Sequence, residues 1–380
     1  MTDRTNQHFV PQFYFRHFST DGKTIGALLT RDGRTIPRAP IKGQCARKNF
    51  YGSKELESIF SQLEATHCLG IRAAIDVANN ASSPDFSPEE LFQLFQAVMF
   101  QRGRTALEID KSSDATSQFI LEMFKHHLRN SGDVKKVDEL IRHIDSGNVS
   151  VTEDPSATIA RSVDIALSNV LGITDLHLCL IRNRTDYPFI FSDAPVVFYN
   201  SYCRDVRNRG VLGLQCPGLQ IFYPLNAWTL ALLIDGNKYT GPFHEYLQFD
   251  LCSRAEVSQI NALQLHHSLN AVYFGDPSHQ QYIHDLWLAH RRSIRSLRHK
   301  CVVGADFWVD GKPPEGELIQ QFEPQIDFKL DLSFIGCDPI AEVDYVFTPR
   351  SPELWDELRH REDRRMQDTP NNAQPAASNH

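Results

Sequence analysis

Apolar positions fall into two textures along the chain. From Ser53 to about Leu171 they recur with helical spacing. Ser53-Lys54-Glu55 opens a long helix to about Asn79, and Ser87-Pro88-Glu89-Glu90 opens a second with an N-cap, a proline at the first helical position and an acidic first turn. Breaks fall at Ser131-Gly132-Asp133 and Ser146-Gly147-Asn148, and Asp154-Pro155 starts another helix. After Gly172 the runs are short and turn-bounded, as strands are: His177 to Ile181, Phe189 to Phe191, Gln220 to Tyr223, Trp228 to Ile234 and Ala271 to Phe274. Helices are expected from Arg254 to Leu269 and from His279 to about Arg298, and the alternation of Gln325 to Leu332 predicts one more strand. Asp32-Gly33 between two apolar runs marks an N-terminal hairpin over 24–41.

This order predicts an α+β fold, with a helix-rich N-terminal half on a small mixed or antiparallel sheet in the C-terminal half. The expected organisation is one large domain over 1–300, an extension with a strand over 301–350, and a charged helix with a disordered tail over 351–380. The polar stretch from Met366 to His380 is the tail.

With 41% hydrophobic and 23% charged residues, the 380-residue chain is globular in composition. Its net charge of -8 argues against a general phosphate-backbone binder unless the cations cluster. The start has no signal-peptide pattern and no later run is long enough to span a bilayer, so the expectation is a cytoplasmic protein with no membrane partner. The eight cysteines are scattered singly, as reduced core-filling thiols are. There is no phosphate-loop motif, no dinucleotide fingerprint, no H-E-x-x-H and no G-x-S-x-G. His279, His284 and His290 are five and six apart, which does not align them as i, i+4 metal ligands, so neither a metal nor another cofactor is expected.

Four places depart from ordinary core-and-surface patterning. His8-Phe9-Val10-Pro11-Gln12-Phe13-Tyr14-Phe15-Arg16-His17-Phe18 is too aromatic for a free terminus and must pack inside. His8 is then either a cap on a backbone carbonyl or a site base. On the second helix Arg102 falls about 20° from Leu91, in the middle of the apolar stripe, so a guanidinium enters the core and needs a carboxylate. Glu57 and Glu64, on one edge of the preceding helix, are the expected partners. Ser192-Asp193-Ala194-Pro195 ends a strand, where Asp193 either caps the turn or serves a site beside His8. Finally, the basic run from Arg291 to Lys300 offers Arg292, Arg295 and Arg298 as phosphate contacts, or forms a solvated helix face.

The N-terminal segment resembles the opening signature H-[YF]-[VI]-P-x-x-[YF]-L-x-x-F of a bacterial family of unknown function, DUF4238. The resemblance continues through Lys48-Asn49-Phe50-Tyr51, Glu57 and Glu64, Gln101-Arg102, the Phe191 to Val196 segment and Tyr223-Pro224-Leu225, covering roughly 8–275. Phe15 stands where the family usually has Leu, and Ala194 where it usually has Asn. The resemblance implies a boundary and a set of residues but no activity.

The leading expectation is a metal-independent hydrolase or nuclease, by association a bacterial defence or toxin effector. In it His8 is general acid/base, Asp193 orients it or activates water, Arg102 stabilises developing negative charge, and Glu64 completes the set. Its partner would be a nucleic acid or nucleotide. The alternative is a non-catalytic binding or sensor module with a buried polar pocket for a small anionic ligand. In either case His8, Asp193 and Arg102 should meet, with the histidine's pKa raised and the aspartate's lowered.

Overall fold

A computed structural model describes residues 6–80, 86–130, 134–149, 151, 153–207, 209–294, 299–304 and 318–368. The N-terminal part comprises β1 (Asn6–His8), α1 (Gln12–Phe18), β2 (Thr24–Leu29), β3 (Thr35–Pro40) and β4 (Ala46–Lys48). The helical part is α2 (Lys54–Asn79), α3 (Pro88–Gly103), α4 (Ala106–Arg129), α5 (Val134–Asp145) and α6 (Pro155–Ser168). Then follow β5 (His177–Asn183), β6 (Phe191–Ser192), β7 (Val197–Tyr199), β8 (Gln220–Asn226), β9 (Thr229–Ile234) and β10 (Gln248–Leu251). The chain continues with α7 (Arg254–His266), β11 (Ala271–Phe274), α8 (Gln280–His290), β12 (Lys300–Gly304), β13 (Leu318–Phe322) and α9 (Pro352–Asp368). The fold is α+β, as the two textures of the sequence predict.

Two sheets carry the second half. One is five-stranded in the order β10-β5-β9-β8-β7, parallel only between β10 and β5. The other is four-stranded and antiparallel, β3-β2-β11-β6, so the N-terminal hairpin joins strands that come much later in sequence. The hairpin turns at Gly33, whose φ of 74° is the left-handed conformation that the Asp-Gly pair predicts. Among the described residues, no helix is long and apolar enough to cross a membrane.

Side-chain alternation along β9 divides the core. Ala231 and Leu233 face a cluster built with the N-terminal aromatics and with Ile71 of α2 and Val98 of α3. Leu230, Leu232 and Ile234 face a second cluster with Val257, Ile260 and Leu263 of α7. Phe9, Val10, Tyr14, Phe15 and Phe18 are buried, so the N-terminal segment is an internal plug; Tyr14 stacks on Tyr223 at 5.4 Å.

Three expectations need correction. The helix expected to reach Arg298 stops at His290, beyond which the basic run supplies almost no apolar face to bury. Arg292 therefore sits exposed in a turn, while Arg295 and Arg298 lie outside the described residues. Gln325 to Leu332 forms no strand and bends at Asp327. Its apolar side packs on the second cluster through Ile326, Leu330 and Leu332, and its backbone bonds to side chains and to a local turn at Ile326–Phe328 instead of to a neighbouring strand. Tyr199 Oη donates to the Phe328 carbonyl and accepts from the Leu330 N–H at 3.2 Å, and Gln259 and Glu256 accept from Asp331 and Ser333. The extension's strands are instead β12 and β13, paired with each other. Third, Met366 to Asp368 belong to α9, and the rest of the expected tail lies outside the described residues.

Candidate functional site: a histidine cleft and two sealed networks

The expected single site is resolved into three places. The first is a cleft of ≈ 330 Å³ between the N-terminal segment and α2, lined among others by His8, Gln12, Arg16, Tyr51, Glu57 and Glu64. Its geometry begins at β1, which pairs with β4 and places His8 opposite Ala46. His8 Nδ1 lies 3.1 Å from the carbonyl oxygen of Gln44, which can only accept, so the ring proton sits on Nδ1. Nε2 is left as an acceptor and takes a hydrogen bond from the Gln12 amide at 3.0 Å. That amide's oxygen in turn accepts from Arg16 at 3.2 Å. Burial lowers the His8 pKa; the Gln44 carbonyl and Glu64 only partly restore it, so the ring is neutral near pH 7.

Beneath the cleft lies Arg104, 1% exposed. It donates to the His8 carbonyl and to Tyr51 Oη, and Tyr51 Oη donates to the same carbonyl at 2.6 Å. Glu64 Oε1 is 2.6 Å from Arg104 Nη1, although the N–H there is not aligned on it, so the contact is one of charge more than direction. Glu57 accepts from Gln7, whose own oxygen accepts from the Tyr51 N–H. Backbone, phenol, guanidinium and carboxylate thus hold the histidine from behind.

The second place is a closed ion network. Arg102 is buried, as its wheel position predicts, but its partner is not Glu57 or Glu64. It pairs with Glu323 of the extension, lies 3.7 Å from Glu108 and stacks over Phe198 at 4.3 Å. Lys111, 1% exposed, bridges Glu108 at 2.9 Å and Glu323 at 2.7 Å. Two cations and two anions balance. Burial works to raise the Glu323 carboxyl, and Arg102 and Lys111 more than reverse it, holding it well below the usual carboxylate range. His267 completes the set, with Nδ1 2.9 Å from the Ala194 carbonyl and Nε2 3.2 Å from Arg102. Burial, with Arg102 and Lys111 adding to it, brings its pKa to about 3.

The third place is Asp193, which serves as the turn cap and not as a partner of His8. Its two oxygens accept from the backbone N–H groups of Leu269 and Asn270, each at 2.8 Å. This capture draws 267–270 off the end of α7, which is why that helix stops at His266 and not at Leu269. Burial raises the Asp193 pKa to about 6, partly opposed by those N–H groups. Both directions expected for a His8–Asp193 pair are therefore reversed: the histidine is lowered and the aspartate raised. Around Asp193, Ser192 donates to Gln264 and Gln264 donates to the Pro195 carbonyl, all buried.

Sequence reasoning missed Arg104, Lys111, Tyr51, Gln12, His267 and Glu323 as members of these networks. Arg104 falls off the apolar stripe on a helical wheel, yet it is buried, because α3 ends at Gly103 and its C-cap is packed from every side. From Ala97 to Gly103 α3 is buried at every position, so no single stripe describes its second half. Glu323 could not be paired by local pattern, being 221 residues from Arg102.

No curated protein and no solved structure matches the chain. A family model does, over residues 6–278, which takes in the His8 plug, α2, α3 and Asp193 and leaves out Glu323 and the extension. The chain belongs to the protein family of unknown function DUF4238.

Proposed function

We propose that the chain is a metal-independent hydrolase in which His8 is the general base. The observation that carries this reading is the state of His8: a neutral ring whose tautomer the Gln44 carbonyl sets, with Nε2 as an acceptor in a lined cleft. In the step this supports, Gln12 swings aside and Nε2 takes a proton from water. The water oxygen bonds to the substrate's acyl carbon, and the imidazolium returns the proton to the leaving group. Glu64 and Glu57 favour the charged ring once it forms and Arg104 opposes it, so the two carboxylates offset the guanidinium beneath the ring as charge develops. Arg16 is the only cation among the described residues lining the cleft, and it can approach a developing oxyanion. Asp193 and Arg102, sealed in their own networks, hold the fold in this proposal.

The charges also bear on substrate class. Glu57 and Glu64 are balanced by Arg16 and by Arg104 beneath the cleft, so no cationic surplus meets a polyanion, and we place the substrate among uncharged esters and amides. Phosphodiester hydrolysis, and with it a nuclease or effector role, would need Arg16 to meet the phosphate charge alone. A second reading, a binding module without chemistry, is favoured by Gln12: its amide already satisfies Nε2, as a ligand's N–H would.

The test is a panel of chromogenic esters and anilides, a bis-aryl phosphodiester and RNA, incubated with the pure protein in chelator, beside His8→Asn. Turnover of an ester or anilide that His8→Asn abolishes, at an unchanged melting temperature, supports the hydrolase. Turnover indifferent to His8 overturns it, and specific binding without turnover favours the module.

A further inference from the structure

A second groove lies where the extension meets the core. Two adjoining cavities, of ≈ 270 and ≈ 250 Å³, share Arg207, Gln325, Ile326 and Asp327 as walls. Arg209 and Lys300 line the first, and Arg204 and Lys329 the second. Five cations therefore face one groove against two acids, Asp205 and Asp327, on a chain whose net charge is -8. None of these residues lines the His8 cleft.

The cations are weakly committed. Arg207 lies 3.2 Å from Asp327 with both side chains more than half exposed, and Arg204 is 3.7 Å from Asp205. Exposed pairs of this kind contribute little and exchange partners readily. Arg209 donates to the Tyr345 carbonyl, and among the described residues no carboxylate pairs with it. Among the described residues no ion pair reaches Lys300 or Lys329. A surplus of three positive charges on a concave surface raises the local concentration of anions, and guanidinium forks match phosphate oxygens.

We propose that this groove binds a small polyphosphate-bearing ligand of the size of a nucleoside di- or triphosphate. The joined cavities suit a small molecule, whereas a long nucleic-acid backbone would have to run on over a surface of like overall charge, since the chain's net charge is -8. One wall, with Arg204, Arg207 and Arg209, lies within the matched family region, and the other, with Lys300, Asp327 and Lys329, lies beyond residue 278. A bound ligand would bridge the two and clamp the extension to the core. The site stands independently of the hydrolase reading.

Calorimetric titration of the full chain with ATP and with inorganic pyrophosphate tests it. Saturable binding is expected, weakening as salt rises. Affinity should fall at least about tenfold in Arg207→Ala and again in Lys300→Ala, since each loses a charge-assisted contact to phosphate. His8→Asn should bind as the parent does, and circular dichroism of the groove variants should be unchanged because both side chains are exposed. Binding of ATP but not pyrophosphate adds recognition of the nucleoside, and binding of both assigns the polyphosphate; either supports the site. No binding of either probe, binding indifferent to Arg207 and Lys300, or tighter binding of a single-stranded oligonucleotide than of ATP overturns it.

Discussion

His8 and His267 each donate through Nδ1 to a backbone carbonyl, of Gln44 and of Ala194, and each is held below its ordinary pKa by burial. They differ in what meets Nε2. At His8 it is the amide of Gln12, a neutral side chain at a cleft, and a ligand or water could replace it. At His267 it is Arg102, itself locked by Glu323, Glu108 and an aromatic face. The same imidazole device is therefore available in one region and closed in the other. Chemistry needs a base with a replaceable partner, whereas a fold needs one without.

Variants should separate the two regions. The largest effect is expected at Glu323→Gln, which leaves Arg102 and Lys111 buried with one full carboxylate, that of Glu108, between them. Breaking a buried pair in this way costs on the order of 3–5 kcal/mol, to be read from denaturant unfolding. A loss under about 1 kcal/mol would mean the network is not closed. Next comes Asp193→Asn. An amide offers one acceptor where two backbone N–H groups need two, so the loss should be about 1–3 kcal/mol. A fully stable Asp193→Asn protein would sink the turn-cap assignment.

The pH dependence is a further discriminator. His267 falls to about 3, and His67 and His266 to about 4, all from 6.5. Between those values the unfolded chain takes up protons that the folded chain refuses. The stability these neutral rings contribute is thus complete above pH 6.5 and is lost as pH falls through the folded values. Asp193 works in the opposite sense: raised from 3.8 to about 6, it favours the folded state most when protonated and less as pH rises through that window. With three histidines against one aspartate, unfolding free energy should fall from about pH 7 to about pH 4, and a flat profile would contradict these shifts.

The smallest effect belongs to the cleft rim. Arg16→Ala removes an exposed side chain and one hydrogen bond to Gln12, so stability should stay within about 0.5 kcal/mol. In the hydrolase reading its turnover nevertheless drops, and a change in stability larger than the change in function would assign Arg16 to the fold.

Much of the architecture was legible because local chemistry decided it. Ser53, Ser87 and Asp154 cap the helices they announce, and the hairpin and β11 follow from their turn signals and apolar runs. The failures fall where distant partners override pattern. Alternation over Gln325 to Leu332 is real and buries one side, but its long-range hydrogen bonds go to the side chains of Tyr199 and Gln259, neither of them near in sequence. In the same way burial of Arg102 was readable from its helix, while its partner was not. The pairing of Glu64 with an arginine was nearly readable; a shift of two residues, to Arg104, separates the cleft from the sealed network.

The most direct measurement is carbethoxylation of the native protein near pH 7, with each modified histidine located by mass spectrometry. The reagent needs an unprotonated, reachable imidazole nitrogen. His8 should be modified early and protected by a cleft-filling ligand, while His267 should stay unmodified until the chain unfolds. Equal labelling of the two, or a native His8 as inert as His267, would contradict the contrast between an open and a closed imidazole.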